Sequence, residues 1–398
     1  MPFPSGNGGF NTMQGVILAA GNGTRLMPMT LTRSKPMMTI ANKPFVEWLY
    51  QTMKKCVKEV VFVVRPEQQD IIDHFQGRAR FVYQKKPLGT GDALLQCENV
   101  VTGRFLLANG DILVTENEMR DMARSKENTV SAFHTDKPQE FGIFEADISG
   151  KDKKALCIEE KPANPQGDLA NAGVYVLDTD IFNALKSNKK SKRKENELVS
   201  ALSFPTKLHV FDKWCHISYP WDILEANKFV LKEHGSQIHH SATIREGAYI
   251  EGNVAIGKNA VIGPNCFIRD YSSIGENCKV GNAVEIKNSV IMENSFVSHL
   301  SYVGDSIIGR NCNIAAGTIF ANLRLDKKTI GMKVNGKYVD SGRKKLGAVV
   351  ADGVQFGTNC TVMPGKRIWP NILIPPCKIV ARDVEKQPDL KNLEKRLV

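Results

Sequence analysis

Nine cysteines are spread over 398 residues, and no two of them form a C-x-x-C pair. That removes the spacing of a structural zinc site and of a small disulfide framework, and it points to a reducing compartment. No apolar run approaches the roughly eighteen residues of a membrane span, and the first apolar segment lacks the charged start and cleavage site of a signal peptide. The expectation is a cytoplasmic chain without a membrane partner. Aromatic residues make up only 8% and do not interleave with the basic ones, so the net charge of +11 does not describe a nucleic-acid surface. Part of the excess sits in one run, Lys189-Lys190-Ser191-Lys192-Arg193-Lys194, which reads as a solvated loop, and phosphorylated substrates account for part of the rest. With 42% hydrophobic residues the chain is too long for one core. Two domains are expected, 13–235 and 236–398, after a Gly- and Pro-rich lead-in over residues 1–12 that reads as disordered.

What is present begins with Leu18-Ala19-Ala20-Gly21-Asn22-Gly23-Thr24-Arg25-Leu26 directly after the apolar run Gly15–Leu18. A buried parallel strand ending in a glycine-rich turn lets backbone amides close around a polyanion. Arg25 can fork two phosphate oxygens, and Lys35 can bring a point charge to another phosphate. The spacing is neither a Walker loop, which needs Gly-Lys-Ser/Thr, nor a dinucleotide fingerprint, because Leu26 stands where the third glycine belongs.

Strand and helix patterns then alternate as in a doubly wound, Rossmann-like α/β sheet: a helix over 45–53, and strands at 60–64, 81–83 and 104–108. Gln84 offers an amide that can read a pyrimidine edge in both directions, and Gly89 with Thr90 opens a helix whose first amides are expected to face a ligand. Asp111 follows a strand at its C-terminal end, where ligands gather in open α/β sheets, and can hold Mg²⁺ against phosphates. Transfer of a nucleotidyl group needs alignment and charge stabilisation more than covalent help from the protein.

From residue 244 the sequence changes character. Ile244, Ile250, Ile256, Ile262, Ile268, Ile274, Val280 and Ile286 recur every six residues, and the beat returns at Val350, Phe356, Val362, Ile368, Ile374 and Val380. Six residues per flat face and three faces per coil give a left-handed parallel β-helix with the aliphatic residues inside. The beat is read as lost between Met292 and Ile308 and interrupted again by an insertion from Asn322 to Lys345. Loops on such scaffolds carry binding groups. His299 lies in the first irregular stretch near Tyr302, after Glu285 and Lys287, a set able to take a proton and hold a phosphate, although a lone histidine is more often structural.

These motifs resemble a known family. Gly21-Asn-Gly-Thr-Arg-Leu-Met-Pro28 with Lys35-Pro36 resembles the signature of sugar-1-phosphate nucleotidylyltransferases. The stretches Gly281–Lys287, His299–Asp305, Asn311–Gly317 and Ala321-Asn322 resemble the acetyltransferase half of the bifunctional GlmU family, and Ser34-Lys35-Pro36 with Pro220-Trp221-Asp222 look closer to its archaeal form and to thymidylyltransferases than to the bacterial proteins. The resemblance implies a nucleotidyltransferase domain followed by a hexapeptide-repeat β-helix. It implies that Leu18, Ala19, Ala20, Gly21, Gly23, Thr24, Gln84, Gly89 and Thr90 bind nucleotide and that Gly142, Glu159, Lys161 and Asn171 hold a sugar phosphate. Asp222 would join Asp111 as a Mg²⁺ ligand, although on its own residues Asp222 reads equally as a helix cap. In the second domain His299 would be the general base, Arg269 and Lys287 would bind the sugar phosphate, Tyr302 and Asn313 the sugar, and Asn322 the acyl-transfer region. The substrates implied are UTP or dTTP, a hexosamine 1-phosphate and acetyl-CoA, in a homotrimer or a multiple of it. The alternatives are a glucose-1-phosphate thymidylyltransferase with an assembly-only helix, and a non-catalytic regulatory subunit. Leu323-Arg-Leu-Asp326 departs from the bacterial Tyr-Asp-Gly at this point, so nucleotide, sugar and CoA contacts stay open.

Overall fold

The computed structural model describes residues 12–150, 152–188 and 195–388; most of the lead-in and the basic run at 189–194 lie outside them. The chain forms two compact units, one of residues up to Asn22 with Val46–His216, the other of Gly23–Phe45 with Ile217 onward. The expected boundary at 235 falls inside the second unit, just after the helix Asp222–His234.

The first unit is built on nine strands: β1 (Gln14–Leu18), β2 (Glu59–Val64), β3 (Arg80–Tyr83), β4 (Phe105–Asn109), β5 (Thr129–His134), β6 (Gly142–Asp147), β7 (Lys154–Glu160), β8 (Leu169–Leu177) and β9 (Thr206–Val210). Their order is β3-β2-β1-β4-β8-β5-β9-β7-β6. The first four are mutually parallel, and β8 then enters antiparallel. β1 is buried along its whole length, as a central parallel strand must be when both faces are covered. β1 and β4 end side by side, with Leu18 opposite Asn109.

In the second unit three seven-stranded parallel sheets are the three faces of a left-handed β-helix. Inward residues of successive coils stack, Ile256 on Ile274 and Ile262 on Val280, and are fully buried. Each corner requires a left-handed residue, hence the succession Asn259, Asn265, Tyr271, Asn277, Ala283, Asn288, Asn294, Leu300, Asp305 and Asn311 at positive φ. Asparagine dominates because its short polar side chain tolerates that region.

The expected loss of the beat after Met292 is corrected. The coils continue with Ile291, Val297, Val303, Ile308, Ile314 and Phe320 stacked inward. Two spacings shorten from six to five, at Ile286–Ile291 and Val303–Ile308. At these corners Ser289 Oγ and Ser306 Oγ donate to the backbone carbonyls of Lys287 and Gly304, both at 2.8 Å. A strict six-residue template misses a corner drawn in by one residue. The insertion is real: Ile330–Val334 and Lys337–Arg343 pair as an antiparallel hairpin between Phe320 and Val350.

One polar cluster in the first unit sets a pH response. Glu47, only 5% exposed, binds His74 at 2.8 Å, Arg78 at 2.6 Å and Gln51 at 2.7 Å. Burial pulls its carboxyl upward, and the hydrogen bonds from His74, Arg78 and Gln51 outweigh it, leaving the group lowered to about 2. A lowered carboxyl stabilises the fold above its unfolded value and loses that contribution as pH falls toward the folded value. Glu47→Gln is therefore expected to cost roughly 3 kcal/mol above pH ~5, with the gap closing between about pH 4.5 and 2. Denaturant midpoints of parent and variant across that range check this; a gap independent of pH would contradict it.

Candidate functional site

In the first unit the strand ends converge. Gly110 N donates to Leu18 O at 2.8 Å, and a Cβ on Gly110 would come within 2.7 Å of that oxygen, so only glycine lets the turn before Asp111 approach Leu18 and Ala19. Gln68 Nε2 fixes Ala19 from the other side, donating to its carbonyl at 2.9 Å. Gly110 and Gln68 carry no chemistry of their own, and sequence reasoning passed over both. Asp111 is half-buried and directly follows Gly110, whose turn meets Leu18 and Ala19 of the nucleotide-binding candidates.

One of the sugar-phosphate candidates, Asn171, lies at a bulge in β8. The register of β8 shifts between Asn171 and Tyr175, and Gly173 sits there at φ +78° against the Asn109 side chain. Asn171 Nδ2 donates to the Tyr175 hydroxyl at 2.7 Å, which donates back to Asn171 Oδ1 at 3.0 Å. Burial pushes the Tyr175 phenol up, and the nearby Glu160 charge adds to it, so it remains a neutral donor. Of the two consecutive glutamates, Glu160, and not the expected Glu159, stands beside Gly142. Side chains alternate along β7, and it is Glu160 Oε2 that stands 2.9 Å from where a Gly142 Cβ would be and whose Oε1 lies 3.7 Å from Lys161 Nζ. Glu159 points from the opposite face.

Two nucleobase readings also change. Gln84 is buried, and its Nε2 donates both hydrogens internally, to Gly89 O at 3.1 Å and Asp92 Oδ2 at 2.8 Å. With both amide hydrogens used in this way, Oε1 is the atom through which Gln84 would accept from a base. The amides of Gly91 and Asp92, behind Gly89 and Thr90, are taken by Asn196 O at 2.9 and 3.4 Å, and Thr90 Oγ1 accepts from Leu198 N. A Cβ on Gly89 would lie 2.4 Å from that carbonyl, so the helix start is a docking point for the 196–198 segment.

The candidate phosphate-binding loop, from Gly23 on, belongs to the second unit. Gly23, at φ +63°, lies so close to Lys35 that a Cβ would meet the lysine Cβ at 2.8 Å, and Thr30 Oγ1 donates to Gly23 O at 2.9 Å. The cations are thus carried on one folded loop, with Thr24 and Arg25 in a single turn of 3-10 helix and Lys35 in another. The Arg25 guanidinium stands 5.8 Å from the Tyr219 ring centre. Asp222 Oδ2 accepts from the amides of Ser218 and Tyr219, both at 2.7 Å, which orders the turn before its helix. Among the described residues no three His, Cys, Asp or Glu side chains gather as a metal cage. Mg²⁺ does not need one, since it binds one or two carboxylates beside substrate phosphates and keeps several waters.

On the β-helix the second set of candidates divides between two faces. His299 and Asn313 line an open cleft of about 560 Å³ together with Arg245, Asn277, Lys279 and Phe296. The His299 imidazole is exposed and makes no hydrogen bond among the described residues. Arg245 and Lys279 make this cleft cationic; neither was singled out, because each is one basic residue among 53. Around the corner, on the face of Glu285–Lys287 and Tyr302–Gly304, the others form a network centred on Asp305. That carboxylate is 3% exposed and takes Asn322 Nδ2 at 2.6 Å, Asn288 Nδ2 at 2.7 Å and Lys287 Nζ at 3.4 Å, with Arg343 at 3.9 Å. Asn322 also donates to the Tyr302 hydroxyl at 3.0 Å, and Arg269 binds Glu285 at 3.0 Å. Burial raises the Tyr302 phenol, and the Asp305 and Glu285 charges add to it.

Removing the charge at the hub tests the network directly. Replacing one member of a buried charged set typically costs about 3 kcal/mol, so Asp305→Asn is expected to lower the thermal midpoint by several degrees. Lys279→Ala, outside the network, is expected to leave it unchanged, and scanning calorimetry of both variants distinguishes the two outcomes.

A nucleotidyl transferase model matches residues 14–233, a six-repeat bacterial transferase hexapeptide model residues 235–270 and a GMPPB C-terminal domain model residues 259–375. The bifunctional protein GlmU of Methanococcus maripaludis strain S2 is 38% identical over 401 residues, covering 94% of this chain and 96% of that protein. That of Methanocaldococcus jannaschii is 36% identical over 397 residues, with 94% and 96% covered. A bifunctional sugar-1-phosphate nucleotidylyltransferase/acetyltransferase of Sulfurisphaera tokodaii is 37% identical over 398 residues, with 94% and 98% covered. A solved UDP-glucose pyrophosphorylase in complex with UDP-glucose, 21% identical, superposes with a TM-score of 0.51 over 56% of this chain and all of that one, a likeness of fold alone. Similar along nearly its whole length to proteins that carry both halves, the chain belongs to the bifunctional GlmU family of nucleotidyl transferases with a hexapeptide-repeat β-helix.

Proposed function

We infer that this chain makes UDP-N-acetylglucosamine in two steps. It acetylates glucosamine 1-phosphate with acetyl-CoA, then transfers a uridylyl group from UTP to N-acetylglucosamine 1-phosphate and releases pyrophosphate. The observation that carries the two-activity reading is His299, exposed in a cationic cleft on a β-helix whose chain also holds the Arg25 and Lys35 loop. A helix used only for assembly has no need of a histidine and two cations in one cleft.

For acetyl transfer, His299 takes a proton from the sugar ammonium, and the freed amine attacks the thioester carbonyl so that the CoA thiolate leaves. Arg245 and Lys279 suit the phosphates of CoA. Lys287 and Arg269 are the cations for the sugar phosphate, with Tyr302, Asn313 and Asn322 as sugar and acyl contacts. The acyl site is proposed to lie between subunits of a homotrimer or a multiple of it, in the cytoplasm.

For uridylyl transfer the sugar phosphate oxygen attacks the α-phosphorus. Residues 13–235 are proposed as the nucleotidyl-transfer domain and residues 236–398 as the acetyl-transfer domain. Arg25 and Lys35 stabilise the five-coordinate state and the leaving pyrophosphate. Leu18, Ala19, Ala20, Gly21, Gly23 and Thr24 hold the nucleotide, and the Gln84 carbonyl accepts from N3–H of a pyrimidine, a contact uracil and thymine share. Gly142, Glu160, Lys161 and Asn171 hold the sugar phosphate. Asp111 and Asp222 supply carboxylate oxygens for Mg²⁺, which when bound neutralises phosphate charge.

The test is a matrix of nucleotides against sugar phosphates, with and without acetyl-CoA. Pyrophosphate release is expected with UTP and N-acetylglucosamine 1-phosphate, and acetyl-CoA consumption with glucosamine 1-phosphate. His299→Ala is expected to lower the second activity by about 100-fold or more and to leave the first intact. Preference for dTTP with glucose 1-phosphate and no use of acetyl-CoA would replace this reading with a thymidylyltransferase, and no turnover in any combination would leave a regulatory subunit.

A further inference from the structure

The loop that carries Arg25 and Lys35 has little structure of its own. Between Gly23 and Met38 it contains only three single turns of 3-10 helix, Thr24–Leu26, Met29–Leu31 and Lys35–Met37. Its shape is set by side chains of the β-helix. Asp352, at a coil corner and 6% exposed, accepts from Thr32 Oγ1 at 2.7 Å and from Arg33 Nη2 at 3.0 Å to each oxygen. The same carboxylate accepts from Arg310 N and Arg310 Nε, both at 3.0 Å. Gly309 makes room for it, since a Cβ there would come within 2.5 Å of Asp352 Oδ1. The Arg33 side chain is itself 5% exposed, with Glu293 at 3.8 Å.

Two more fasteners flank this one. Arg367, clamped by Asp383 at 2.7 Å, donates to Met27 O at 3.3 Å. Asn227, fully buried, accepts from Ala41 N at 2.8 Å and from Ser273 Oγ at 2.5 Å. The fastened residues bracket the cations: Met27 stands two residues after Arg25, and Arg33 two before Lys35.

We propose that Asp352, through Arg33 and Thr32, is a positioning residue for nucleotidyl transfer, so that the β-helix aims the Arg25 and Lys35 loop and the two activities share one scaffold. Neither Asp352 nor Arg33 touches substrate in this account. This rests on the functional reading given above. Misplacing a charged group by about 1 Å can cost on the order of 100-fold in rate, and of the three fasteners the Asp352 carboxylate is the one that holds the residues just before Lys35.

The full-length protein carries Asp352→Asn or, separately, Arg33→Gln; the second leaves Asp352 paired with Arg310. Both are expected to lower kcat for pyrophosphate release by tenfold or more, by a larger factor than KM for either substrate changes, while acetyl-CoA consumption stays within twofold. Hydrogen–deuterium exchange is expected to quicken over residues 24–37 and to stay the same over the coils at 255–320. An unchanged kcat in both variants overturns the proposal, as does a parallel fall of both activities with the thermal midpoint. Should Asp352→Asn fail to fold, Arg33→Gln decides. Should the parent itself release no pyrophosphate with any nucleotide, the functional reading fails, and unchanged exchange over 24–37 in both variants would sink the anchor separately.

Discussion

The β-helix depends on one constraint, that an aliphatic side chain must enter the prism on every face while the corner before it turns through a left-handed residue. Burial of the Ile256–Ile274–Ile291 stack supplies the driving force, and the asparagines at positive φ make the corners affordable. Because the coils stack at the spacing of adjacent strands, about 4.8 Å, outward residues separated by 17 or 18 positions become neighbours, such as Glu285 with Tyr302 and Lys279 with Phe296. The candidate acetyl-transfer groups are read off that lattice. Asp305 shows the economy of it, since the same residue is a corner at positive φ and the hub that holds Lys287, Asn288 and Asn322.

The same lattice supports the loop of the other half. A phosphate-binding loop in a sheet protein is usually held by the strand and helix it joins. Here the segment from Gly23 to Phe45 belongs to the compact unit of the β-helix, with Asp352, Arg367 and Asn227 as its fasteners. Domain order along the sequence and compactness in space therefore disagree over these 23 residues.

Legibility in the sequence follows the range of the interaction. The six-residue beat and the strand that ends in Gly21-Asn22-Gly23 are local patterns, so the two architectures were readable from them. The two shortened corners hid coils behind a one-residue deletion that Ser289 and Ser306 absorb. Glu160 was displaced to Glu159 because two consecutive glutamates give no sign of which face each takes until β7 is paired with β6. Gln84 looked like a two-way reader because Asp92 and Gly89, which consume its amide hydrogens, are fixed only once the 196–198 segment has docked. Asp352 lies 319 residues from Arg33, and no local rule connects them.

The central claim is that a single chain carries an amine through acetylation into a nucleotide sugar, and one incubation tests it. The protein is supplied with glucosamine 1-phosphate, acetyl-CoA, UTP and Mg²⁺, and the products are resolved by mass spectrometry. UDP-N-acetylglucosamine accompanied by CoA and pyrophosphate, in amounts that depend on acetyl-CoA, is the predicted result. A nucleotide sugar bearing a free amine, formed equally well without acetyl-CoA, or no nucleotide sugar at all, would contradict the account.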